Sequence, residues 1–193
     1  MKAKKKLEKG FSLLESLLVV AVIGVMTGIA IMGSAGPMQT YTANAAMDVI
    51  SSQLRIARQI SISQRRYVKV TINSVANTIS YQTYSLTLAP EGLLMTVPLP
   101  PRTGFVLETG IPDTPMAFGN TSPILIGGVS GGPPSGMYFT PTGSFSDGTF
   151  YNAVNGTIFV GVPNQPSSAR AVTILGSTGR IRPYVWSSSH WTE

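Results

Sequence analysis

The sequence of 193 residues contains no cysteine, one histidine and only eight acidic residues. Without cysteine there can be no disulfide, no thiolate metal site and no cysteine nucleophile, and with His190 alone the commonest general base and metal ligand is nearly missing. Asp113 and Asp147 stand in turn-like contexts, and no two acids are spaced so that both are fixed on one face. A Ser/His/Asp triad would have to draw on His190 in the serine-rich stretch 187–190. No enzyme activity, no metal and no cofactor is therefore expected. Charged residues make up 11% of the chain, too few for a charged disordered tail.

Glycine and proline are plentiful, at 20 and 14, and the glycines have no period of three, which excludes a collagen and points to a loop-rich β domain. The length suits one such domain with an appendage. The net charge of +6 suggests a nucleic-acid partner until its distribution is considered. Lys2, Lys4, Lys5, Lys6 and Lys9 with the single acid Glu8 give the first ten residues +4, which leaves +2 for the rest. Nucleic-acid binding would need a local patch, because the global charge belongs mostly to a short leader.

From Phe11 to Met32 run 22 residues whose only charge is Glu15. As a helix they would extend about 33 Å, enough for a bilayer core of about 30 Å. The lysines before them predict a cytoplasmic leader with everything after Met32 outside. An uncleaved anchor fits this pattern, and so does a secretory signal with Gly33, Ser34 and Ala35 at its cleavage site. Glu15, five residues into the run, and the Gly10-Phe11 step count against both: an acid costs about 2.5 kcal/mol or more near the centre of a membrane helix and less near the interface, and a lone one calls for a partner. Gly24 and Gly28 form a G-x-x-x-G that lets another helix approach closely.

Lys9-Gly10-Phe11-Ser12-Leu13-Leu14-Glu15 resembles the class III signal of type IV pilins and pseudopilins, with Ser12 in the usual threonine place. The resemblance implies that a prepilin peptidase cuts after Gly10 and methylates the new amino group of Phe11. It also implies that Glu15 pairs with the N-terminal ammonium of a neighbouring subunit during assembly. In a low-dielectric bundle each of those charges is costly alone, so pairing favours one axial register.

Beyond the apolar run, Gly33 to Pro37 should loosen the helix. Helical spacing resumes in Met47, Ile50, Leu54, Ala57 and Ser61, a stripe that can lie on a sheet. Arg55, Arg58, Arg65 and Arg66 read as a solvated helix face, with a nucleic-acid contact as the alternative. The period changes to two over 67–72 and 79–88, predicting antiparallel strands joined through 73–77. The segment from Leu88 to Gly136 holds nine prolines and nine glycines and should carry only short strands, at 105–107 and 124–126. Further strands are expected at 137–139, 157–162, 169–175 and 180–184. The expected organisation is a leader over 1–10, a transmembrane and filament-core helix over 11–36, an amphipathic helix over 37–66 and a β-rich head over 67–193. This is an α+β, pilin-like fold.

Tyr138-Phe-Thr-Pro-Thr-Gly143, Gly156-Thr-Ile-Phe-Val160, Arg170-Ala-Val-Thr-Ile174 and Gly179-Arg180, with the helical Gln53-Leu-Arg-Ile-Ala-Arg58, resemble the GspH/FimT family of minor pilins and pseudopilins. That resemblance implies an inner-membrane protein with a periplasmic head, assembled with other pilins into a type IV pilus or a type II secretion pseudopilus. On a strand, Arg180 and Arg182 share a face about 7 Å apart, close to the spacing of successive phosphates. The G-R-x-R pattern resembles that of FimT-type proteins that bind DNA for uptake. It implies phosphate contacts by Arg180 and Arg182 placed by Gly179, with Lys69, Arg170 and Tyr184 beside them. The alternative is a purely structural assembly subunit whose arginine caps the sheet.

Overall fold

A computed structural model describes residues 12–33, 35–87, 89–133, 136–148 and 152–193; the side chains of residues 30–37 and 93 are not described. The chain divides into two compact units, Met1–Met38 and Gln39–Glu193.

In the first unit, helix α1 spans Leu13–Gly33. Ser12 starts it: its hydroxyl accepts from the Glu15 amide at 3.2 Å and its carbonyl accepts from the Ser16 amide at 3.1 Å. These bonds satisfy amides that the first turn leaves without helical partners. Thr27 directs its hydroxyl to the Ile23 carbonyl at 2.7 Å, which hides the polar group inside the helix. Leu13, Leu14, Leu17, Leu18, Val20 and Ile23 are all exposed, so the apolar surface runs around the helix with no polar face. Such a helix is covered by lipid or by other helices when it is stable. Among the described residues no helix is long and apolar enough to cross a membrane. The leader and the Gly10–Phe11 junction lie outside the described residues, as does Ser34, on which the expected loosening over 33–37 turns.

Helix α2 spans Ala35–Gln64, and from Gln39 onward it belongs to the second unit. The expected stripe is its buried face: Met47, Ile50, Leu54, Ala57 and Ser61 are all buried. It packs on two antiparallel sheets. The first has the order β3-β2-β1-β6-β7, with β1 at Tyr67–Asn73, β2 at Thr78–Tyr84, β3 at Pro90–Pro98, β6 at Met137–Phe139 and β7 at Phe145–Ser146. The second has the order β11-β10-β9-β8-β4-β5, with β4 at Ile124–Ile126, β5 at Val129–Ser130, β8 at Gly156–Val160, β9 at Arg170–Leu175, β10 at Arg180–Trp186 and β11 at Trp191–Thr192. One apolar core joins Ile50 and Leu54 of α2 to Val68, Val70 and Phe139 of the first sheet and Ile158, Val172 and Ile174 of the second.

The α+β architecture agrees with the sequence reading, but the glycine- and proline-rich segment does not. It holds β3, nine residues long, where only short strands are expected. Proline stands at both ends of β3, at the edge of its sheet, where a missing amide donor costs no ladder bond. Phe105 to Leu107 forms no strand; only Gly104 bridges to Gly161. Instead, Leu107 and Met116 pack with Phe159, Ala171 and Tyr184 on the second sheet's other face. This loop layer explains why β8 is buried at every position rather than at alternate ones. Asp113 holds the layer's turn by accepting from the Thr114 and Gly119 amides, both at 2.7 Å.

Candidate functional site

Arg180 and Arg182 lie on β10, opposite Leu175 and Thr173 of β9. On its other side β10 is paired by β11 only at Val185 and Trp186. Among the described residues the stretch from Arg180 to Tyr184 is therefore an open edge, which is what Pro183 in the strand predicts. Arg180 is exposed. Arg182 is half-buried, with Nη1 3.3 Å from Glu193 Oε2. A hydrogen bond with Tyr184, and then the Glu193 charge, raise its pKa above the ordinary guanidinium value. Glu193 stands far from any recognisable motif, and nothing in the local sequence marks it as Arg182's partner.

Gly179 closes the turn before β10, where its amide donates to the Leu175 carbonyl at 2.7 Å. Its φ of +62° is a left-handed conformation that glycine adopts without strain. A Cβ there would run into the Gly143 carbonyl oxygen and stand 2.9 Å from Arg58 Nε. Arg58 explains the crowding. Its Nε donates to the carbonyls of Gly143 and Thr178, both at 3.1 Å, and so ties two turns to α2. Arg58 is thus a structural clamp and not simply part of a solvated face; the Gln53–Arg58 segment carried the signal, but the turns it holds are 85 and 120 residues away.

Arg170 is not available to a phosphate, contrary to expectation. It is 1% exposed, with Nε donating to Asn44 Oδ1 at 2.7 Å and Nη1 to the carbonyls of Ser167 at 3.2 Å and Ala169 at 2.8 Å. Burial lowers its pKa. Its neighbours on β9 pack into apolar surroundings on both faces, so the side chain is enclosed and meets its donors' needs within the fold. Arg170→Met is expected to leave those acceptors unpaired and to destabilise the protein by about 2–3 kcal/mol. Thermal unfolding should show a melting temperature lower by about 5–10 °C. Lys69 belongs to the other sheet, on β1, with Nζ 5.9 Å and 5.8 Å from the ring centres of Tyr84 and Tyr138. The fold therefore does not bring Lys69 into the Arg180 edge as part of one strand surface.

Glu15 is exposed in the first turn of α1, where a negative charge complements the helix dipole. With Ser12 it forms the S-x-x-E spacing of a helix start, a signal present in the sequence. The family model of the prokaryotic N-terminal methylation motif matches residues 5–31. The N-terminal segment is similar to prokaryotic N-terminal methylation motifs. Its match covers Gly10, Phe11 and Glu15, the residues on which the type IV pilin-like resemblance rests. In sequence the matched residues precede a head with the expected arrangement of helix and antiparallel sheets.

Among solved structures, the minor pseudopilin EpsH from the type 2 secretion system of Vibrio cholerae is similar at 9% identity and a TM-score of 0.49, over 74% of this chain and 96% of that one. The type IV minor pilin FimU of Pseudomonas aeruginosa is similar at 14% identity and a TM-score of 0.48, over 78% of this chain and 92% of that one. No curated protein matches the sequence.

Among the described residues no group of three or more His, Cys, Asp or Glu side chains could hold a metal ion. His190 Nδ1 lies 3.2 Å from the Ser187 hydroxyl and 2.9 Å from that of Ser189, in an exposed tail.

Proposed function

We propose that this chain is a minor pilin or pseudopilin, a structural subunit of a type IV pilus or a type II secretion pseudopilus. A prepilin peptidase removes residues 1–10, the amino group of Phe11 is methylated, and residues 11–36 hold the protein in the inner membrane with its head in the periplasm. Other pilins then pack against the same helix, with Glu15 facing the Phe11 ammonium of a neighbour. The observation that carries this reading is the N-terminal methylation motif over 5–31. The all-round apolar surface of α1 supports it, because lipid and neighbouring helices are the two environments that cover such a surface. Gly24 and Gly28 agree with it, since a Cβ at either would meet nothing within 4 Å and a second helix has room to approach.

The test is intact mass of the protein purified from its native host. The expected species begins at Phe11 and carries one added methyl group. A full-length chain would indicate an uncleaved anchor, and a start at Gly36 would indicate a secretory signal.

Within that role, Arg180 is the proposed contact to DNA, supported by its exposure on the open edge of β10. Arg182, engaged with Glu193 and Tyr184, is left out of that contact. The competing reading is an assembly subunit with no DNA binding, favoured by the internal engagement of Arg170 and Arg182.

A further inference from the structure

We infer that the cleft between α2 and the turn leading into β10 binds the phosphate group of a polyanion, with Arg55, Arg58 and Arg180 as its cations. The inference rests on the proposed DNA role of Arg180. It moves the site from the strand pair Arg180 and Arg182 into the cleft. The cleft measures about 550 Å³ and opens to solvent; Arg55, Arg58 and Gln59 line one wall, and Thr178, Gly179 and Arg180 the other. That volume falls in the range of about 300–1,000 Å³ typical of ligand sites.

Three arginines line this concavity and no acidic residue does. Like charges gathered in a cleft raise the local potential, and an anion is what relieves it. Arg55 and Arg58, three residues apart, occupy neighbouring positions on one face of α2. The bonds from Arg58 Nε to the Gly143 and Thr178 carbonyls hold its guanidinium at the cleft wall, so little order has to be imposed on it when a ligand arrives. Guanidinium groups suit phosphate oxygens because their N–H donors form a planar fork. Gln59 and Thr178 add uncharged hydrogen-bonding groups. An open cleft of this kind suits a phosphate carried on a longer chain, as in a nucleic-acid backbone, better than a small molecule that must be enclosed.

The experiment uses the full-length protein in a non-ionic detergent, with a labelled DNA duplex of about 30 base pairs followed by fluorescence anisotropy between about 50 and 200 mM salt. Arg55→Gln and Arg180→Gln are each expected to weaken binding at low salt by about threefold or more. Each should reduce the slope of log affinity against log salt by about 1, about equally for unrelated sequences. Arg182→Gln should bind as the wild type does, and Arg55→Gln should keep the wild-type melting temperature. Inorganic phosphate is the second probe: displacement of the duplex at a phosphate concentration that matched chloride does not reproduce shows that the site takes a free phosphate group. Retention of the duplex shows that it requires the polymer backbone, and the cleft stands in either case. Weakening by Arg180→Gln and Arg182→Gln with Arg55→Gln unchanged overturns the cleft and leaves the strand pair as the DNA site. A wild-type protein that binds neither probe overturns both. Loss of filament assembly in Arg55→Gln with unchanged DNA binding gives the cleft to an acidic neighbouring subunit and overturns the phosphate site.

Discussion

A Glu15→Val protein is expected to enter the membrane and lose its leader normally, yet to be depleted about tenfold or more from sheared filaments. Insertion should not suffer, because removing a charge makes the segment more apolar, by about 2.5 kcal/mol if the carboxylate would otherwise sit deep in hydrocarbon. The helix should not suffer either. The Ser12 hydroxyl caps α1 through the backbone amide of residue 15, which valine retains. What the substitution removes is the proposed partner of the Phe11 ammonium. Leaving one member of a buried ion pair without the other costs about 3–5 kcal/mol, and about 1.4 kcal/mol is already tenfold in an equilibrium. Immunoblots of membrane and sheared fractions, normalised to total protein, check the expectation. Equal incorporation of variant and wild type would show that Glu15 has no pairing role in assembly, while a variant that keeps its leader would place the residue in peptidase recognition instead.

The second large effect is expected at Gly179. Gly179→Ala should destabilise the head by about 4 kcal/mol, because two costs fall on one atom. A left-handed backbone costs an L-residue about 1–2 kcal/mol, and the new methyl must displace the Gly143 carbonyl or the Arg58 side chain. Either displacement breaks charge-assisted bonds from Arg58 Nε, each worth about 1.5–3 kcal/mol. Chemical denaturation should show a lower midpoint with an unchanged slope. Arg58→Ala removes the same bonds, so the double variant should be less destabilised than the sum of the two single ones. Additive effects would mean that Gly179 and Arg58 do not act on the same turn. Arg180→Gln, one residue away, should change stability by no more than about 0.5 kcal/mol, as is usual at an exposed site. Loss of DNA binding in Gly179→Ala would therefore report misfolding of the turn, and only the arginine substitutions can report on the ligand.

Several features were already legible in the linear chain because their physics is local. The apolar run from Leu13 onward, the buried α2 stripe from Met47 to Ser61 and the β1–β2 hairpin follow from periodicity within a few residues. In that hairpin the Asn73 side chain accepts from the Val75 and Ala76 amides, a contact that asparagine makes within its own turn. The match to the methylation motif is local too, since it rests on the contiguous segment 5–31.

What the sequence did not reveal depends on residues far apart. Strand β3 was hidden among prolines and glycines, whose local preference is for turns, and it exists because β2 offers an edge for it to pair with. Arg170 and Arg180 look alike as letters beside strands, but one lies beneath α2 on Asn44 and the other stands at an open edge. Arg58 is indistinguishable from Arg55 by helical position, and only the approach of the turns at Gly143 and Thr178 makes it a clamp. Sequence by itself determined the likeness of residues 5–31 to the N-terminal methylation motif and the helix-then-sheet order, because short-range hydrophobic pattern and a contiguous motif suffice for both. Tertiary structure alone decided which arginines are buried, paired or open to a ligand, because a cation's solvation and partners are set by whatever distant segments the fold packs against it.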